Sequence, residues 1–111
     1  MEYKVCNSKE LPNNSKKMIS IQGSKILVCR SNNRLFALDN SCPHRGASLS
    51  KSEIKETKII CYMHDYEYDL ISGKLLRIPA KWNDQNPNWT KAGDLLLFPI
   101  SEKNGEIYIR L

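Results

Sequence analysis

The sequence predicts an all-β domain, on three observations. Its apolar residues come in short runs separated by turn-forming clusters. The dipeptides Gly23-Ser24, Asn32-Asn33 and Asn104-Gly105 supply residues that tolerate the positive φ of tight hairpins. Support for helices of ten residues or more is weak throughout. In chain order, strands are expected near 3–6, 17–21, 25–30 and 34–38, the last three forming a meander through Gly23-Ser24 and Asn32-Asn33. After a long interruption come 58–61, 66–70, 74–78, 95–100 and 107–111, with Asn104-Gly105 marking the hairpin before the last. Ile107, Ile109 and Leu111 alternate with Tyr108 and Arg110, which places the apolar set on one sheet face. Segments 39–57 and 80–93 do not read as strands, and loops of that length call for a functional reason.

The 111 residues suffice for one domain with one modest core and leave no room for a second catalytic domain, so 1–111 is expected to be a single unit. With 41% hydrophobic and 26% charged residues, the composition is that of a soluble globular chain rather than a disordered or collagen-like one. A formal charge of +5 favours acidic partners in general, but Lys16-Lys17 is the only adjacent basic pair and no nucleic-acid stripe stands out. The strongly apolar stretch 95–100 is far shorter than the ~18 residues a bilayer span needs. The start, Met1-Glu2-Tyr3-Lys4-Val5-Cys6, lacks the basic and apolar regions of a secretory signal, so a cytoplasmic protein is expected. In that compartment Cys6, Cys29, Cys42 and Cys61 are expected as metal ligands or thiols rather than disulfides.

The chemistry is concentrated in two segments, Ser41-Cys42-Pro43-His44-Arg45-Gly46 and Ile60-Cys61-Tyr62-Met63-His64-Asp65. Each pairs a thiol with an imidazole, and they contain both histidines of the sequence. Two thiolates and two imidazoles make a four-ligand set for zinc or for an iron-sulfur cluster. A zinc finger usually draws cysteines from one pair and histidines from another, whereas here each loop supplies one of each. That mixed pairing suits a [2Fe-2S] group with two Cys on one iron and two His on the other.

In these segments the sequence resembles the Rieske family. Cys42 to Leu49, reading Cys-Pro-His-Arg-Gly-Ala-Ser-Leu, is similar to the first cluster-binding box of Rieske ferredoxins, and Cys61 to His64 resembles the second. Tyr68-Asp69 and Ser72-Gly73-Lys74 follow, where the family commonly shows an aromatic-Asp pair and a Thr-Gly or Ser-Gly turn. The resemblance implies stacked antiparallel sheets with a small two-loop cluster-binding subdomain at about 39–79. It also implies one [2Fe-2S] cluster held by Cys42, His44, Cys61 and His64, with the cysteines on the inner iron and the histidines on the outer. Neutral imidazole ligands raise the potential relative to an all-cysteine cluster.

Around those ligands the resemblance singles out Arg45, Gly46, Met63, Asp65 and Tyr68. High-potential members carry an extra cysteine in each loop, whereas this chain has Met63 and no spare cysteine near His44, so a lower-potential ferredoxin-type centre is expected. Asp65 stands where glycine usually follows the second histidine and would put a carboxylate beside the cluster, and Tyr62 stands where proline is common. Tyr68 is read in two ways, as a hydroxyl bonded to a cysteine sulfur or as a tyrosine packing at the core edge. Cys6 and Cys29, within strand-like runs, read as small buried hydrophobes. Trp82 and Trp89 frame a loop that is expected to be pinned to the body by its two indoles, with partner binding as the alternative. Arg45, Lys51, Lys55 and Lys58 are candidates for steering an acidic partner.

The functional expectation is a one-electron carrier, monomeric in isolation. It would take electrons from a protein reductase and pass them to a protein acceptor such as a Rieske-type oxygenase, without nucleic acid or membrane. Independent catalysis is not expected, since a non-haem iron oxygenase site needs two further histidines and a carboxylate. The alternatives are a small subunit or module of a larger reductase, resembling the small subunit of nitrite reductase, and a zinc-stapled interaction module.

Overall fold

The computed structural model describes residues 1–41, 48–62, 65–77 and 94–111, and among these it has strands and short 3-10 turns but no α-helix. The strands are β1 (Glu2–Asn7), β2 (Ser15–Ile21), β3 (Ser24–Ser31), β4 (Arg34–Asp39), β5 (Glu53–Lys55), β6 (Lys58–Ile60), β7 (Glu67–Asp69), β8 (Leu75–Arg77), β9 (Leu97–Phe98), β10 (Ile100–Lys103) and β11 (Glu106–Arg110). They pair antiparallel in three sheets, ordered β1-β11-β10, β2-β3-β4-β9 and β5-β6-β7-β8.

Turn chemistry accounts for the hairpins. Asn32 and Asn33 (φ 54° and 59°) and Asn104 and Gly105 (φ 52° and 76°) hold consecutive residues at positive φ, the conformation whose twist matches the strands it joins. The first hairpin turns one residue earlier than expected. Gln22 and Gly23 carry the positive φ (50° and 82°), and Ser24 already opens β3.

The β2-β3-β4-β9 sheet lies between the other two, as its side chains show. Ile26, Leu27, Val28 and Cys29 of β3 are all at 0% exposure. Successive strand residues point to opposite faces. Accordingly Ile26 and Val28 join Cys6, Leu11, Ala37, Ile107 and Ile109 in one core, against the β1-β11-β10 sheet. Leu27 and Cys29 join Phe36, Leu38, Ile59, Cys61, Tyr66 and Tyr68 in the other, against the β5-β6-β7-β8 sheet. A strand apolar on both faces loses the alternation of a half-solvated strand and reads as a continuous run. Burying one such aliphatic side chain contributes about 1.5–3 kcal/mol. Arg30 fastens the layers at one edge. Its Nε donates to the Leu11 carbonyl at 2.7 Å, and its guanidinium grips Glu102 of β10 at 2.7 and 3.3 Å.

Three further expectations are corrected. The run 95–100 is not one strand, because Pro99 divides it into β9, which pairs with β4, and β10, which pairs with β11. Proline has no N–H for a ladder, so the chain changes sheets where pairing must lapse. Segment 39–57 is not all loop. It contains a 3-10 turn at Leu49–Lys51 and β5, whose Ile54 packs partly buried on the core. Leu111 lies beyond β11 and is 39% exposed, while Ile107 and Ile109 are buried as expected. Segment 80–93, with Trp82 and Trp89, lies outside the described residues.

Cys6 and Cys29 are buried in the two cores, and desolvation pushes the Cys29 thiol up to about 12, which keeps it protonated and inert. The turn between β7 and β8 is organised by Asp69, which accepts from the Ile71 amide at 3.0 Å and the Ser72 hydroxyl at 2.9 Å. Gly73 closes that turn at φ +80°, where an added Cβ would lie 2.8 Å from the Leu95 carbonyl oxygen. Because positive φ and a backbone clash combine there, Gly73→Ala is expected to cost about 3 kcal/mol of stability. The check is the urea midpoint. A wild-type midpoint would mean that the turn relaxes freely.

Candidate metal centre

Of the four expected ligands, only Cys61 is among the described residues. Cys42, His44 and His64 lie outside them, as do Arg45, Gly46 and Met63. The described positions flanking these residues show where the two boxes begin and end on the fold.

The first loop springs from the end of β4. Asn40, 6% exposed, donates its own amide to the Lys25 carbonyl at 3.0 Å. Its side chain donates to Ser48 Oγ at 2.9 Å and accepts from the Ser50 amide at 2.9 Å, and its carbonyl accepts from the Leu49 amide at 2.7 Å. Ser41 and Ser48 form an antiparallel bridge directly across the mouth. Asn40 thus fastens the chain that leaves the body to the chain that returns to it. Nothing in the composition of the box pointed to it beyond a polar residue closing an apolar strand.

The second loop continues the β6-β7 hairpin. Ile60 pairs with Glu67, and one step further the Cys61 amide donates to the Tyr66 carbonyl at 2.8 Å, while the Asp65 amide returns to the Cys61 carbonyl at 2.9 Å. Asp65 is exposed and adopts φ +58°, a left-handed conformation that glycine takes without cost and that aspartate tolerates better than most side chains. Asp65 thus holds, in place of glycine, a backbone conformation that glycine favours. Cys61 sits at 0% exposure, in one side-chain cluster with Leu49, Tyr66 and Tyr68. Tyr62 stays 46% exposed, with Lys51 Nζ 5.8 Å from its ring centroid. The two mouths meet where Ser52 Oγ accepts the Tyr62 amide at 3.2 Å.

Of the cations expected to steer a partner, Lys58 is already engaged. Glu67, whose side chain is 12% exposed, takes Lys58 and Arg77 at 2.9 Å each, across β6, β7 and β8. Hydrogen bonds first from Lys58 and then from Arg77 hold its carboxyl below the usual carboxylate range. Lys51 and Lys55 remain exposed. Among the described residues no helix is long and apolar enough to cross a membrane.

A family model described as the Rieske [2Fe-2S] domain matches residues 1–97. The carbazole 1,9a-dioxygenase terminal oxygenase component CarAa of Metapseudomonas resinovorans is 33% identical over 113 residues, covering 98% of this chain and 28% of that protein. The chain thus spans little more than a quarter of that relative's length. The 3-phenylpropionate/cinnamic acid dioxygenase ferredoxin subunit of Photorhabdus laumondii subsp. laumondii is 27% identical over 106 residues, covering 95% of this chain and 90% of the subunit. Among solved structures, the ferredoxin of carbazole 1,9a-dioxygenase from Nocardioides aromaticivorans superposes with a TM-score of 0.80. That alignment covers 98% of this chain and 96% of that one at 17% identity, a likeness of fold.

The ion pairs of Glu67 predict a pH dependence with a definite sign. The unfolded chain takes up a proton near the ordinary carboxylate value of about 4.3, before the folded one does. The stability Glu67 supplies is therefore complete above that value and drains away as pH falls from there through its lower native value. Urea midpoints of wild type and Glu67→Gln should differ at pH 7, with wild type the more stable, and converge as pH falls below the ordinary carboxylate value. A gap independent of pH would remove Glu67 from the acid response.

Proposed function

The chain belongs to the Rieske [2Fe-2S] domain family, and from that premise we propose that it is a one-electron carrier with a single cluster held by Cys42, His44, Cys61 and His64. The residues fit the group. A fully buried thiol stands at the mouth of one loop, both mouths are closed by hydrogen bonds, and the two are linked to each other. When bound, the cluster supplies a centre that accepts and releases one electron. The protein's part is to present two deprotonated thiolates and two neutral imidazoles, to keep water from the Cys61 side, and to hold the loops still.

The observation that carries the carrier reading is the near end-to-end match with a ferredoxin subunit, together with a sequence in which both histidines fall in the cluster boxes. The donor would be a protein reductase and the acceptor an oxygenase, as befits a relative named as the ferredoxin subunit of a dioxygenase. We take residues 1–111 as one domain, with the cluster loops at 39–79, working as a monomer in the cytoplasm. Buried thiols at Cys6 and Cys29 that form no disulfide suit a reducing compartment. A second reading, a cluster-bearing module of a larger oxidoreductase, is favoured by the 28% span of the oxygenase component. Stable co-purification with a larger redox partner would select it.

Anaerobically purified protein reduced with dithionite is expected to give a rhombic spin-half paramagnetic resonance signal, with average g below that of all-cysteine clusters. Stoichiometric zinc without labile sulfide would overturn the reading. Tyr68 shares the buried side-chain cluster of Cys61. A phenol donating to a thiolate ligand favours the reduced, more negative state. Tyr68→Phe is therefore expected to lower the midpoint potential by several tens of millivolts, on a scale of about 59 mV per tenfold change for one electron. An unchanged potential would leave Tyr68 as a packing residue.

A further inference from the structure

We infer that Ser52 is the positioning residue that sets the two ligand-bearing loops against each other. The inference rests on the ligand assignment proposed above. Ser52 is 1% exposed and belongs to neither cluster box. It follows the 3-10 turn Leu49–Lys51 that leaves the first loop, and its amide donates to the Leu49 carbonyl at 3.0 Å. Leu49 in turn donates to Asn40 at the opposite side of that mouth. Ser52 Oγ accepts the amide of Tyr62, the neighbour of Cys61, at 3.2 Å. The Ser52 carbonyl accepts Lys16 Nζ, reaching from β2 in the central sheet. One residue is therefore bonded to the exit of the first loop, to the start of the second, and to the body.

The direction of these bonds matters. The Cys61 and Asp65 amides bond within the second loop and fix its own shape. The Tyr62 amide bonds across to Ser52 and fixes where that loop lies relative to the first. A loop closed only at its own mouth can still tilt as a unit about its stem, and a binuclear group drawing one thiolate from each loop does not tolerate such tilting. Ser52 is 1% exposed, so in the folded protein its hydroxyl bonds the Tyr62 amide away from bulk water.

The test uses the loaded protein with Ser52→Ala and Ser52→Thr. Both keep the carbonyl that receives Lys16, and only the second keeps a hydroxyl. The readouts are peptide-level amide exchange over 58–66 and over β3, and the rate of iron release to a chelator. Ser52→Ala is expected to speed exchange over 58–66 and iron release roughly fivefold, the order that loss of one neutral hydrogen bond gives. Exchange in β3 should stay at the wild-type rate, and Ser52→Thr should return both readouts toward wild type. Wild-type exchange and release in Ser52→Ala would overturn the inference, as would acceleration shared equally by β3, which would mark a general loss of stability. A wild-type protein that binds no [2Fe-2S] cluster would instead overturn the ligand assignment, and the exchange measurement would still report on the link between Ser52 and Tyr62.

Discussion

Burial of β3 on both faces is the constraint from which the other layers follow. Ile26 and Val28 need a cover on one side and Leu27 and Cys29 on the other, and no single sheet can provide both. The β1-β11-β10 sheet covers the first face and the β5-β6-β7-β8 sheet the second. A chain this short keeps a middle layer dry only if its outer sheets are small, as these are, with three and four strands. The sheet change at Pro99 serves the same end, letting neighbouring residues contribute Leu97 to one core and Ile100 to the edge of the other.

Cys61, the one proposed ligand among the described residues, belongs to the cover of the second face rather than to β3 itself. Cys61 is part of that core, so the same packing that buries Leu27 and Leu38 also keeps the thiol from water. Tyr66 and Tyr68 flank Glu67 on a strand where alternate residues face the core and the surface, which leaves Glu67 to gather Lys58 and Arg77 outside. Apolar packing thus buries Cys61 on one face of this sheet, while an ion-paired carboxylate ties three strands together on the other.

Much of this was legible in the sequence, for identifiable reasons. The hairpins at Asn32-Asn33 and Asn104-Gly105 showed because positive φ is a property of the dipeptide itself, and the family because the two Cys/His boxes are local in the chain. The turn at Gln22-Gly23 was displaced by one residue because Gly23 fits either central position and only strand register decides between them. Strand β5 was missed because Glu53-Ile54-Lys55 is short and has one apolar residue, and its pairing with β6 decides its conformation. Asn40 and Ser52 were missed because a polar residue gives no sign in sequence of being buried. Each becomes a clasp only when the chain returns to it, eight to ten residues later.

By itself the sequence determined the all-β class, most strand positions, and two boxes whose thiols and imidazoles suit a [2Fe-2S] group. These depend on apolar period, turn dihedrals and ligand softness, which are carried by residues close together in the chain. Only the tertiary structure decided that Ile26, Leu27, Val28 and Cys29 are buried on both faces of β3, that the chain changes sheets at Pro99, and that the Tyr62 amide is held by Ser52. Those outcomes depend on which surfaces meet after the chain has folded back on itself, and a hydrogen bond or a buried face belongs to both partners at once.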